Sequence, residues 1–371
     1  MLFRVNVRGN KGARHLTYDT QLHSLTWEDT KEVVLPNRID LPKPYKKFCI
    51  SLGLACNYSC SYCLQAHEKL KPIDSIRLQK LFSEMDSKDL KEYKVEFWGG
   101  EPLLYKDTIL KIAERYKGKV GMFSMITNGS LLTKELVDKL VGEYKIQITV
   151  SHDGPAQDKR KKDPLDTNFE ALNYLFSKYP EYSSVHSVLS LDNYESKERA
   201  DWFKNKLGMS VEQSSEGFIV DYASKDGFKI DILNKVYEDL ALGTGLQNAY
   251  YASKMLFFFK SLLNKTNLAS ITTKCGVDKD TYTVFNLSDD TKMTCHDFRG
   301  ELPINTIRDR EKCLECPVVH LCKGGCPVIS SKSKAFENNC NTDFQVNMAV
   351  LRVCLEILLD GKYAVERIER L

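Results

Sequence analysis

Short apolar runs alternate with amphipathic segments over most of the chain. The runs KFCISLGL, KVEFWGG, GMFSMITNG, IQITVSHDG, VHSVLSLDN and GFIVDYA are rich in β-branched and aromatic residues, and four of them end in Gly or Asn, which predicts buried strands. Between them, SIRLQKLFSEM, DTILKIAERY, KELVDKLVGEY, NFEALNYLFSKY and SKERADWFKNKL repeat apolar residues three and four apart, which predicts helices; the first is capped near Asp74 or Ser75. Six or so strand–helix units imply an α/β fold with a parallel sheet, curled into a barrel or open and doubly wound, with chemistry at the C-terminal strand ends.

The flanks differ. Residues 1–47 alternate apolar and polar positions around a Gly-Asn-Lys-Gly turn, as a β-hairpin extension would. The strand–helix core covers 48–235, a helical linker 236–270, a cysteine-rich domain with few periodic runs 271–345, and a final helix, with apolar residues at helical spacing, 346–371.

Charge adds little. With 53 basic against 50 acidic residues the net is +3, so nothing points to nucleic acid or an anionic membrane as the defining partner. The N-terminus lacks a continuous apolar segment, and YYASKMLFFFKSLLN is interrupted by Lys254 and Lys260, so a soluble cytoplasmic protein is expected. In a reducing compartment the 12 cysteines read as metal ligands rather than a disulfide framework. They fall into Cys49, a trio at Cys56, Cys60 and Cys63, then Cys275, Cys295, Cys313, Cys316, Cys322, Cys326, Cys340 and Cys354.

The trio, CNYSCSYC, has no fourth ligand at finger-like spacing except His67, whereas structural zinc is four-coordinate. A cubane iron–sulfur cluster can be held by three thiolates, leaving one iron open. This stretch resembles the CxxxCxxC signature of the radical S-adenosylmethionine (SAM) enzymes, whose open iron chelates the cofactor's methionine. The resemblance implies a partial (β/α)6 barrel in which the trio holds a [4Fe–4S] cluster. It further implies that Tyr62 lies against adenine, and that Gly99, Gly100, Glu101 and Pro102 of WGGEP receive the methionine ammonium. Ser151 of VSHDGP would meet the ribose, with Asp153 a weaker candidate, and Thr127 and Asn128 of ITNG would line the same pocket. A plain turn remains the alternative for each of these strand ends. The basic run KRKKD at 159–163 reads as a solvated loop.

The later cysteines run Cys275, fourteen residues, Asp290, four residues, Cys295, then CLECPVVHLCKGGC and finally Cys340. This is similar to the SPASM domain, except that Asp290 replaces a glycine. The resemblance implies two auxiliary [4Fe–4S] clusters, one on Cys313, Cys316, Cys322 and Cys340, the other on Cys275, Cys295 and Cys326. The second set has an open fourth position, which Asp278, Asp280, water or substrate could fill. His320, Cys354 and Cys49 read as structural residues.

SPASM-bearing radical enzymes mostly modify peptide or protein side chains. That resemblance implies a peptide or protein substrate, oxidative modification or crosslinking during maturation of a ribosomal peptide, and an external donor such as flavodoxin or ferredoxin. Sulfatase-maturing members carry an aspartate after the second cysteine; here His296 stands there, followed by Asp297, as a candidate proton acceptor or a group bonded near the cluster. Residues 1–47 leave no room for a leader-recognition domain, so recognition of a ribosomal peptide is expected from the hairpin, the barrel mouth or a separate leader-recognition protein. A small-molecule substrate, formylglycine formation, and a zinc or iron–sulfur scaffold or redox sensor are the alternatives.

Overall fold

The structure, a computed structural model, describes residues 1–36, 45–63, 65, 68–188, 190, 192–193, 195–208, 214–217, 232–241, 249–266, 281–295, 298–299, 311–325 and 335–371. Three strands open the chain: β1 (Leu2–Gly9), β2 (Gly12–Asp19) and β3 (Ser24–Trp27). The core then alternates β4 (Lys46–Ser51), α1 (Ser75–Asp86), β5 (Tyr93–Trp98), α2 (Lys106–Tyr116), β6 (Met122–Thr127), α3 (Lys134–Val137), β7 (Ile146–Ser151), α4 (Pro164–Thr167), α5 (Phe169–Lys178), β8 (Ser183–Val188), α6 (Ser196–Leu207) and β9 (Ser214–Gly217). There follow α7 (Ile232–Ala241), α8 (Ala249–Leu263), β10 (Tyr282–Asn286), the short pair β11 (Met293–Cys295) and β12 (Phe298–Arg299), α9 (Glu311–Leu314), α10 (Val319–Cys322), α11 (Ala335–Leu358) and β13 (Tyr363–Arg370).

Seven strands form one sheet in the order β10-β4-β5-β6-β7-β8-β9, and every pairing in it is parallel. Phe48, Ile50, Val95, Phe97, Phe123, Met125, Ile146 and Ile148 enter one core with Leu81, Ile112, Leu140 and Leu175 of the covering segments. Because strand side chains alternate, the intervening residues face the opposite, inner surface. Asp74 caps α1, its carboxylate accepting the Ile76 N–H at 2.9 Å. Most of the sixth predicted strand, GFIVDYA, lies outside the described residues.

The ends of the chain correct the sequence reading. Instead of a helix to residue 371, α11 ends at Leu358, Gly361 turns the backbone at φ 65°, and β13 pairs antiparallel with β1. A four-stranded sheet β13-β1-β2-β3 results. Its inward residues Phe3, Val5, Val7, Leu16, Tyr18, Leu25 and Val365 pack in a second core with Val236, Leu240, Phe258, Leu262, Leu321 and Leu355. The segment expected as a linker therefore supplies core helices, and the N-terminal strands are part of the cysteine-rich half. Among the described residues, no helix is long and apolar enough to cross a membrane.

Candidate cofactor site

The loop after β4 carries the cysteine trio, and its backbone is fixed against the end of β5. The amides of Gly100 and Glu101 donate to the carbonyls of Gly53 at 2.9 Å and Ala55 at 2.8 Å. This approach requires both glycines. A Cβ at Gly99 would sit 2.5 Å from the Gly53 carbonyl oxygen, and one at Gly100 would sit 2.4 Å from that of Ala55. WGGEP is thus a packing surface for the cysteine loop.

The end of β6 holds the loop from another side. Asn57 donates to the Ser130 hydroxyl at 2.8 Å, Ser130 donates to Asn128 Oδ1 at 2.7 Å, and Asn128 Nδ2 donates to Asn57 Oδ1 at 2.8 Å. Glu101, 1% exposed, accepts from the Leu103 N–H at 2.9 Å, the Thr127 hydroxyl at 2.6 Å and the Asn128 N–H at 2.8 Å. Burial nevertheless pushes its carboxyl above the ordinary range. Three donors on two oxygens leave about one acceptor position on a carboxylate.

These elements enclose a cavity of about 210 Å3 lined by Cys56, Cys60, Cys63, Tyr62, Gly99, Gly100, Glu101, Thr127, Asn128, Ser151 and Arg160, together with Tyr58, Gln65, Trp98 and Ile126. The sequence-predicted trio and strand-end residues therefore converge. Pro102 is buried at the start of a short 3-10 turn, Pro102–Tyr105. Asp153, 1% exposed, lies behind the lining: it accepts the Arg160 Nη2–H and the Val188 N–H, each at 2.8 Å, on one oxygen and the Tyr62 phenol on the other. Tyr62 is held by this bond, and burial raises its phenol pKa well above the usual range.

Arg160 corrects the reading of KRKKD as a solvated loop. It is 6% exposed, its guanidinium stands 5.5 Å from the Tyr62 ring centroid, and Nε has no hydrogen-bond partner among the described residues. Burial works against its charge, but Asp153 and Tyr62 more than restore it, and its pKa is raised. Asp163 accepts from His152 at 3.0 Å, and Lys162 donates to the Asn57 carbonyl at 2.7 Å. Basic composition hid this; only an arginine among lysines, seven residues beyond Asp153, marked the position.

The donor set fits an iron–sulfur cluster. All three thiols are free and line one cavity. No three His, Cys, Asp or Glu side chains among the described residues converge on one metal ion. A cluster places no such demand, because each thiolate binds a different iron. Burial pushes the Cys56 thiol up and that of Cys60 to about 11, so ligation as thiolates needs the charge of a bound metal centre.

In the cysteine-rich half, Cys295 is buried at the end of β11, while Cys313, Cys316 and Cys322 are half-buried around α9 and α10 and Cys340 is exposed on α11. Burial pushes the Cys316 thiol up to about 11, with the nearby Cys313 and Cys340 adding to it. Those two cysteines therefore stand near Cys316, as a shared cluster requires. Cys275, Cys326, Asp278, Asp280, His67 and both candidate bases, His296 and Asp297, lie outside the described residues. His320 donates to the Thr20 carbonyl at 2.7 Å and stacks on His23 at 3.7 Å, while Cys354 and Cys49 are buried.

Residues 50–203 match the Radical SAM superfamily. The radical SAM cyclopropyl synthase TigE of Paramaledivibacter caminithermalis is 27% identical over 232 residues, 54% of this chain and 48% of TigE. The GTP 3',8-cyclase of Chlorobaculum tepidum is 31% identical over 158 residues, 40% of this chain and 46% of the cyclase. The chain spans about half the length of these curated relatives. Among solved structures, anSMEcpe with bound AdoMet and Cp18Cys peptide superposes with a TM-score of 0.62 at 18% identity, covering 86% of this chain and 100% of that one. Streptococcus suis SuiB bound to precursor peptide SuiA gives 0.52 at 15% identity, covering 79% and 74%. At these identities the likeness is one of fold, and its coverage reaches beyond residues 50–203. Residues 50–203 thus form a domain of the radical SAM superfamily of enzymes.

Proposed function

We propose that this enzyme reductively cleaves S-adenosylmethionine and removes a hydrogen atom from a peptide or protein side chain, for oxidative modification or crosslinking of a ribosomally made peptide. The observation that carries this reading is the convergence of Cys56, Cys60 and Cys63 with Gly99, Gly100, Glu101, Thr127, Asn128 and Ser151 on one cavity. When bound, the reduced cluster and SAM supply the deoxyadenosyl radical. Cys56, Cys60 and Cys63 hold the cluster. The Gly99–Gly100 backbone and Glu101 receive the methionine ammonium, Ser151 meets the ribose, and Tyr62, fixed by Asp153, faces the adenine. Arg160, its charge balanced by Asp153, adds guanidinium N–H donors to the cavity lining.

Cys313, Cys316, Cys322 and Cys340, with Cys275, Cys295 and Cys326, would hold two auxiliary [4Fe–4S] clusters, and His296 or Asp297 would accept the substrate proton. A peptide substrate is favoured by two similarly folded proteins with peptides bound, anSMEcpe and SuiB. A small-molecule substrate is the second reading, favoured by the sequence likeness to GTP 3',8-cyclase. A cytoplasmic setting, a flavodoxin or ferredoxin donor and a separate leader-recognition protein complete the proposal.

The test is anaerobic reconstitution with iron and sulfide, reduction with dithionite in the presence of SAM, and chromatography for 5′-deoxyadenosine. Deoxyadenosine from the wild type that falls to background in Cys60→Ala is expected. Zinc in place of iron, with no cleavage, would refute the assignment.

A further inference from the structure

Below the cofactor cavity, the inner face of the parallel sheet carries a row of polar side chains. Val95 and Phe97, Phe123, Met125, Ile146 and Ile148 turn outward into the helix-covered core. Glu96, Ser124 and Gln147 therefore face inward, on the surface from which Trp98, Ile126 and Ser151 line the cavity. The register sets Glu96 opposite Ser124 and Ser124 opposite Gln147, a level row across three strands. It lies two residues below Trp98 and Ile126, about 7 Å along the strands.

The row is chemically incomplete. Glu96 is 8% exposed; its carboxylate stands 3.8 Å from the Lys94 ammonium, beyond hydrogen-bond reach, and acts electrostatically on His186 without a hydrogen bond among the described residues. The Ser124 hydroxyl is shut off from solvent and has no hydrogen-bond partner among the described residues. Gln147 is half-buried. Buried polar groups are ordinarily bonded, and leaving one unbonded costs stability. Lys94 offsets the Glu96 charge, so the row presents hydrogen-bonding capacity without net charge.

We infer that Glu96, Ser124 and Gln147 form a substrate subsite that takes an uncharged hydrogen-bonding group, the carboxamide or hydroxyl of a peptide side chain. This rests on the peptide-modifying reading above. Glu96 accepts an N–H or O–H, while the Ser124 hydroxyl and Gln147 carboxamide can each donate and accept. The row would seat the polar end of a side chain whose carbon atoms lie nearer the cofactor cavity, and an apolar side chain would leave all three groups unpaired.

Two measurements on the anaerobically purified full chain test this. Saturation-transfer NMR with N-acetylglutamine methylamide and N-acetylmethionine methylamide compares probes of similar length. The glutamine probe is expected to give at least about a threefold larger signal, falling at least about threefold in the Ser124→Ala/Gln147→Leu variant. Equal signals from both probes, none from either, or no effect of the substitutions would overturn the subsite. In thermal denaturation, Ser124→Ala is expected to raise the midpoint by about 2 °C, because it removes an unpartnered hydroxyl. A fall would show that Ser124 serves the fold and would overturn its place in the row. Neither readout involves cofactor cleavage. A chain that forms no deoxyadenosine yet passes both tests would lose the proposed reaction and keep the row.

Discussion

Replacing Asp153 with alanine tests the electrostatic frame of the cofactor site. Asp153 is 1% exposed and Arg160 6%. One carboxylate accepts from the Arg160 guanidinium, the Val188 N–H and the Tyr62 phenol. Removing it strands a guanidinium that burial already opposes and frees two further donors. Breaking a buried ion pair from one side costs about 3–5 kcal/mol, against about 1–3 kcal/mol for an unsatisfied neutral group. Asp153→Ala is therefore expected to destabilise the chain by about 3–5 kcal/mol. Arg160→Met should cost less, since Asp153 keeps two donors. The double variant should recover part of the loss, with a coupling of about 1–3 kcal/mol. Urea denaturation followed by circular dichroism, on all four members of the cycle, reads each quantity. SAM binding should weaken in step, because Tyr62 and Arg160 lose their anchor. A cost for Asp153→Ala below about 1 kcal/mol, or strict additivity in the cycle, would refute the reasoning.

Gly100→Ala places a Cβ 2.4 Å from the Ala55 carbonyl oxygen and 2.7 Å from that of Leu54, so the strand end and the cysteine loop must separate. A loss of about 1–3 kcal/mol and weaker iron retention after reconstitution are expected, and wild-type values for both would contradict this role of the glycine pair. His23 gives a pH dependence: burial, and then the neighbouring His320, lowers its pKa from the usual 6.5 to about 2. The folded chain keeps it neutral while the unfolded chain protonates below about pH 6.5, so stability present above that pH is lost on acidification, by at most about 1.4 kcal/mol per pH unit, until pH 2 is approached. His23→Phe should flatten the stability profile between pH 6 and 4; an unchanged slope would remove His23 as its source.

Much of the core was legible because each strand and helix is specified locally. The helix at 75–86 follows from Leu78, Leu81, Phe82 and Met85 on one face behind Asp74, and the structure reproduces it. The cysteine trio and WGGEP were legible for a related reason: a ligating loop and a turn in close backbone contact each restrict residue type at fixed spacing. Arg160 was not, because one buried guanidinium in a run of lysines has the composition of a solvated loop, and only its partner Asp153, brought close by the fold, distinguishes it. The polar row was invisible for a similar reason. Glu96, Ser124 and Gln147 are far apart in sequence and become neighbours only through strand register.

The C-terminal strand shows the limit most clearly. Val365 and Ile368 stand three apart, as on a helix, and a register shift opposite Asn6 and Val7 lets the same YAVERIER segment pack both against the second core as a strand. What decides between them is β1, which pairs Phe3 with Arg370 from the opposite end of the chain. That pairing closes the second core, where the N-terminal sheet, α7, α8, α10 and α11 share apolar contacts, and there His320, within the CPVVHLC segment, stacks on His23. The cysteine-rich half thus draws its scaffold from both termini. Val318 and Leu321 of the cysteine segment anchor in that core, which strands from the start and end of the chain help build, and Cys316 and Cys322 pack against it. A boundary drawn from sequence at residue 47 separates pieces that the fold joins.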